Sequence, residues 1–76
     1  MSHSILKAFG SKIKFIRLER GLSQEQLGLI SGLDRTYISG IERGLRNVSL
    51  INLERLAIEL NVVPAELLNF NEPHNA

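Results

Sequence analysis

Apolar residues in this chain recur at steps of three and four, and Gly21, Gly32 and Gly44 cut that rhythm into short lengths. Such steps place side chains on one face of an α-helix, whereas a half-buried strand alternates every second residue. No stretch alternates with β-branched enrichment, and no Asn-Gly or Asp-Gly hairpin turn is present. The chain is therefore expected to be all-α. Its 76 residues leave room for one compact domain, so residues 1–76 are read as a single domain with a flexible tail over 71–76. A core this small buries a modest share of its surface, which makes association with a second copy a natural supplement.

The pattern predicts five short helices. The first, from about Ile5 to Arg20, sets Leu6, Phe9, Ile13 and Ile16 on one face and leaves Lys7, Lys12, Lys14 and Arg20 to solvent. Gly10 weakens its beginning, and Gly21 ends it. Ser23-Gln24-Glu25-Gln26 reads as a capping box that opens a second helix, with Leu27 and Ile30 as its buried stripe. Asp34 caps a third helix running from Asp34 to Arg43, with Ile38 and Ile41 facing inward. Ser49 caps a fourth, in which Leu50, Leu53, Leu56, Ala57 and Leu60 form the apolar stripe. Pro64 suits the first turn of a fifth, which carries Leu67, Leu68 and Phe70.

Several chemistries lack their residues. There is no cysteine, which removes thiol catalysis and Cys-ligated zinc. His3 and His74 stand at opposite ends, no i, i+4 His pair exists, and no metal site is expected. Neither a P-loop nor a dinucleotide fingerprint is present, and no histidine is placed to serve a serine as base. We therefore expect no enzyme, no cofactor and no small-molecule ligand. The start lacks the apolar core of a signal peptide, and no apolar run is long enough to span a membrane, so a cytoplasmic protein is expected.

Net charge is only +1, but its distribution is uneven. Residues 1–49 hold eight Lys/Arg against four acids, a balance of +4, while residues 50–76 hold Arg55 against four Glu, a balance of −3. Asymmetry of this kind suits one end that meets phosphates and another that does something else.

The informative unit is the second and third helices joined through Ser31-Gly32-Leu33. The turn is short, contains glycine and holds an apolar residue, as in a helix-turn-helix. There the first helix crosses the DNA backbone and the second sets its N-terminal residues in the major groove. Gln24 stands in the first turn of the one, and Arg35, Thr36 and Tyr37 open the other, with Ser39 and Gly40 one turn on. Arg35 can bond O6 and N7 of guanine, unless it is merely a solvated charge after a cap. Thr36 can touch a base, a phosphate or a thymine methyl, or simply back-bond within its own turn.

The run Ile16-Arg-Leu-Glu-Arg-Gly-Leu-Ser-Gln24, with Leu27, Gly32-Leu33 and Ile38-Ser-Gly-Ile-Glu-Arg-Gly44, resembles the Cro/C1-type (XRE-like) helix-turn-helix regulators. Leu33-Asp-Arg-Thr-Tyr-Ile-Ser-Gly-Ile-Glu-Arg43 and Arg46-Asn47 resemble the controller proteins of restriction–modification systems in particular. The resemblance spans about residues 8 to 68. It implies a lambda-repressor-like domain with base contacts at Arg35, Thr36 and Ser39. Phosphate contacts would fall to Gln24, Tyr37, Arg43, Arg46 and Asn47. It also implies a structural ion pair between Arg17 and Glu42 that locks the motif to its scaffold.

The C-terminal segment holds more apolar residues than such a unit needs. Val62, Val63, Leu67, Leu68 and Phe70 are expected to form a homodimer interface on the fifth helix and the end of the fourth. A two-fold dimer sets its recognition helices ~34 Å apart and demands a pseudo-palindromic double-stranded operator. The controller resemblance implies an autoregulatory switch run by protein concentration. Two other readings stay open at this point, a phage or plasmid repressor of the same fold and an antitoxin- or adaptor-like interaction module.

Overall fold

Among the described residues the chain forms four α-helices and one 3-10 segment: α1 (Ser4–Glu19), α2 (Gln24–Ser31), α3 (Arg35–Glu42), α4 (Leu50–Leu60) and the 3-10 segment Pro64–Leu68. They are seen in a computed structural model that describes residues 4–70. The expected tail at 71–76, and both His3 and His74, lie outside the described residues. Among the described residues no strand occurs, and no helix is long and apolar enough to cross a membrane.

The predicted fifth α-helix is instead a single 3-10 stretch of five residues. Val63 stands at its N-cap position without a side-chain hydrogen bond, and Asn69 leaves it with extended geometry. So short a segment forms few backbone bonds for the residues it orders, which favours the tighter 3-10 turn.

Capping explains where α2, α3 and α4 start and where the helices stop. Ser23 Oγ accepts from Gln26 N at 3.0 Å while Ser23 N donates to Gln26 Oε1 at 2.7 Å, a complete capping box. Ser49 Oγ accepts from Asn52 N at 3.0 Å at the head of α4. At the other ends one device recurs. After α1, Leu22 N donates to Arg17 O and Gly21 N to Leu18 O; after α3, Leu45 N donates to Gly40 O and Gly44 N to Ile41 O. After α4, Val62 N donates to Ala57 O and Asn61 N to Ile58 O. These are Schellman closures, which need a left-handed residue, and Asn61 (φ 59°) fills the role that glycine takes at the other helix ends.

The core gathers Phe9, Ile13 and Ile16 from α1, Leu27 from α2, Ile38 and Ile41 from α3, Leu53, Leu56, Ala57 and Leu60 from α4, and Leu67 from the 3-10 segment. Leu6 is only half-buried. Two residues expected in the stripes are on the surface. Ile30 is 47% exposed because α2 turns Leu27, Gly28 and Ser31 inward, with Ser31 Oγ donating to Leu27 O at 2.7 Å. Leu50 is 80% exposed because it begins α4 just after the cap, before the helix reaches the core at Leu53.

Lys12 corrects a further expectation. It is buried, not solvated, and its Nζ lies 3.0 Å from Glu66 Oε2 on the 3-10 segment. α1 thus reaches the C-terminal segment by an ion pair as well as by apolar contact. Gly10 has a positive role: a Cβ there would stand 2.2 Å from Ile41 O and 2.8 Å from Glu42 O. The absence of a side chain lets α1 cross the carbonyl end of α3 directly.

Candidate nucleic-acid interface

α3 is anchored at both ends, and its anchors leave one face open. Its C-terminal end is held by Glu42, whose side chain is almost wholly buried. Arg17 Nε donates to Glu42 Oε2 at 2.6 Å and Nη2 to Oε1 at 2.9 Å, a fork-to-fork pair. Arg17 Nη1 donates to Leu22 O at 2.8 Å, so the guanidinium also fixes the turn between α1 and α2. Gln24 Nε2 adds a third donor to Glu42, 3.1 Å from Oε1. One carboxylate therefore ties α1, α2 and α3 together.

The N-terminal end of α3 is fixed by Asp34. Its carboxylate accepts from the Thr36 hydroxyl and, at 3.1 Å, from Thr36 N. The Thr36 hydroxyl first, then the Thr36 amide, holds the fully exposed Asp34 carboxyl below its usual range. The turn before it is tight: a Cβ on Gly28 would lie 2.6 Å from Leu33 O. Leu33 is half-buried against the core, as an apolar residue in this turn requires.

Between these anchors, Ile38 and Ile41 face inward and the opposite side carries the polar residues. Arg35 and Thr36 stand four and three residues before Ser39, and Arg43 stands four after it, which sets them along a single stripe. Arg35 is exposed and makes no hydrogen bond or ion pair among the described residues. Ser39 is half-exposed on the same stripe, and Arg43 ends it in full exposure. Thr36 is exposed, but its proton is already given to Asp34; it offers a neighbour only its oxygen lone pairs and its methyl group.

Tyr37 turns to the flank. Its hydroxyl accepts from Asn52 Nδ2 of α4 at 3.2 Å, and its ring lies 5.7 Å beneath the guanidinium carbon of Arg46. The Tyr37 O–H proton remains available to an acceptor. Asn47 is exposed in the following loop. Arg35, Arg43 and Arg46 thus stand around one helix, with Asp34 as the lone acid at its head. No group of three or more His, Cys, Asp or Glu among the described residues could hold a metal ion.

Some features escaped the sequence. Gln24 lies in the first turn of α2 as expected, but one of its amide protons is committed to Glu42. Arg20 donates through Nε to Leu60 O at 2.9 Å and so closes the end of α4. Of the residues expected at a dimer interface, Leu67 is corrected: it is fully buried in the core of the single chain. Val62 packs partly against that core, while Val63, Leu68 and Phe70 stand exposed around the 3-10 segment.

Residues 13–68 match the helix-turn-helix family. The chain is 49% identical over 71 residues to control protein C.BamHI from Bacillus amyloliquefaciens, covering 92% of this chain and 88% of that one. Its fold is similar to the restriction–modification controller protein C.AhdI from Aeromonas hydrophila, with a TM-score of 0.84 and 49% identity over 86% of this chain and 98% of the other. It is also similar to the controller protein C.Esp1396I, solved as a tetramer in complex with its natural 35 base-pair operator. There the TM-score is 0.79 and the identity 44%, over 87% of each chain.

Proposed function

The chain belongs to the helix-turn-helix family, among the restriction–modification controller proteins, and on that premise we propose that it is a transcriptional regulator that reads double-stranded DNA with α3. It is not an enzyme. The observation that carries the reading is the exposed, unpaired Arg35 at the head of a helix fixed at both ends, by Asp34 and by the Arg17–Glu42–Gln24 network. A guanidinium so placed enters the major groove first, where it can bond O6 and N7 of guanine. Thr36, with its proton spent on Asp34, acts as an acceptor from adenine N6 or cytosine N4, or packs its methyl on thymine. Ser39 reaches the next base. Gln24 through its remaining amide proton, Tyr37 through its hydroxyl, and Arg43, Arg46 and Asn47 take phosphates.

The protein acts as a homodimer in the cytoplasm. Val63, Leu68 and Phe70 supply exposed apolar surface beside the 3-10 segment, with Val62 at its edge. Two-fold pairing sets the α3 helices ~34 Å apart, one turn of B-DNA, and requires an inverted repeat. On this reading the operator lies in a restriction–modification operon that includes the protein's own gene. Accumulation of the protein then sets the state of the promoter.

The test is selection of duplexes from a random pool, followed by titration at several salt concentrations. The selected sites should share an inverted repeat. Arg43 and Arg46 of two subunits neutralise four phosphates, which gives a log–log salt slope of about −3.6 at ~0.9 per phosphate. A flat salt response, or no enriched sequence, sinks the proposal and leaves a helix-turn-helix used for protein contact.

A further inference from the structure

Gly40 stands in the middle of α3, where glycine is a poor helix former. Neither a turn nor a positive φ accounts for it. What occupies the missing side chain's place is Arg46: a Cβ on Gly40 would lie 2.9 Å from Arg46 Cγ and 3.0 Å from its Nε. Gly40 is buried although it lies only four residues beyond Thr36, because the Arg46 stem covers it. The guanidinium continues over the Tyr37 ring, one helical turn back from Gly40, at 5.7 Å from the ring centre. Its charge is also felt by Asp34 at the head of α3. Tyr37 is in turn held by Asn52 of α4.

We propose that Gly40 is a positioning residue: its missing side chain opens a slot across α3 in which Arg46 lies, stacked on Tyr37, so that the guanidinium is presented ready-oriented beside the reading stripe. This rests on the DNA-binding reading above and deepens it, because it assigns to a residue without functional groups a share of operator affinity. A long arginine side chain free in solvent loses rotamer freedom when it binds a phosphate; one already laid in a slot has lost it on folding. A Cβ at position 40 forces the Arg46 stem to shift from this position, and with it the guanidinium over the ring. The substitution does not disturb the core, because the atoms it meets belong to a surface side chain.

The experiment compares wild type, Gly40→Ala, Arg46→Ala and the double variant, by thermal melting and by anisotropy titration of the duplex that wild type selects. Gly40→Ala should melt at or above wild type, since alanine is the better helix residue. It should bind at least about fivefold more weakly. In the Arg46→Ala background the same change should alter affinity by less than about twofold. Unchanged binding by Gly40→Ala, or equal losses in both backgrounds, overturns the proposal. An independent readout is the proton spectrum of the free protein. The Arg46 side-chain protons of wild type should show the upfield shift of a ring overhead, and Tyr37→Leu should abolish it; its absence from wild type also overturns the proposal. That measurement needs no DNA, so wild type that binds no duplex counts against the functional reading and leaves the slot to be judged by the ring shift.

Discussion

Glu42→Gln removes one charge from the junction of three helices while keeping its shape. In the folded chain Arg17 and Glu42 have side chains only 8% and 3% exposed, so neither can be rehydrated without opening the structure. Breaking a buried pair by neutralising one partner typically costs about 3–5 kcal/mol, because the remaining charge stays buried. Gln can still accept one hydrogen bond, and Arg17 keeps the Leu22 carbonyl at 2.8 Å, which places the expected loss near the lower end, about 3 kcal/mol. For a domain of this size each kcal/mol moves the melting temperature by roughly 4–8 °C, so a fall of about 12–24 °C is expected. The assay is urea unfolding at matched protein concentration, since dimerisation adds concentration-dependent stability. Arg17→Met with Glu42→Leu together should recover most of the loss, as apolar replacements of buried pairs do. Well below its melting temperature, Glu42→Gln should bind operator within about threefold of wild type, because Glu42 faces the scaffold and not the groove. A cost under about 1 kcal/mol, or a double variant less stable than Glu42→Gln, would refute the reasoning.

Three further outcomes follow from single contacts. Gly10→Ala should destabilise by about 1–3 kcal/mol despite the better helix propensity of alanine, because its methyl would meet the Ile41 and Glu42 carbonyls; urea unfolding measures it, and a stabilised variant contradicts the close crossing. Glu66→Ala should cost about 2 kcal/mol, below the loss for a fully buried pair because the Glu66 side chain is 31% exposed, and should weaken dimerisation by loosening the 3-10 segment; sedimentation equilibrium that matches wild type would separate that segment from the interface. Asp34 has a carboxyl held below its usual range by Thr36, so its contribution to stability is complete above the unfolded value and is lost as pH falls through the folded one. Asp34→Asn keeps a capping oxygen and should remove that acid-side dependence of the melting temperature, whereas an unchanged pH profile would assign it to other carboxylates.

What the sequence disclosed is mostly what acts over a few residues. Ser23 with Gln26, Asp34 before Arg35, Ser49 before Leu50, and the glycines after α1, α2 and α3 all signal through local geometry, and each stands where the pattern put it. What it concealed depends on partners far along the chain. Lys12 lies three residues after Phe9 and four before Ile16, on the apolar stripe itself, but its charge suggested solvent until Glu66 was found beside it. The bond from Gln24 to Glu42 and the support of Tyr37 by Asn52 are likewise contacts that no spacing rule exposes. Pro64 announced a helix start correctly, yet five residues sustain only a 3-10 turn. Gly10 read as a weak point in its helix, and it turns out to be a place where another group passes too close for a side chain.

The proposed reading of base pairs by α3 centres on Arg35. The most direct measurement is the affinity of Arg35→Ala for the selected operator and for a panel carrying every single base-pair change in one half-site. Loss of one bidentate contact should cost ~1–3 kcal/mol on the intact operator and relax discrimination at one position per half-site, with a guanine preferred there by wild type. Equal weakening on every member of the panel would reduce Arg35 to a phosphate contact and contradict the claim.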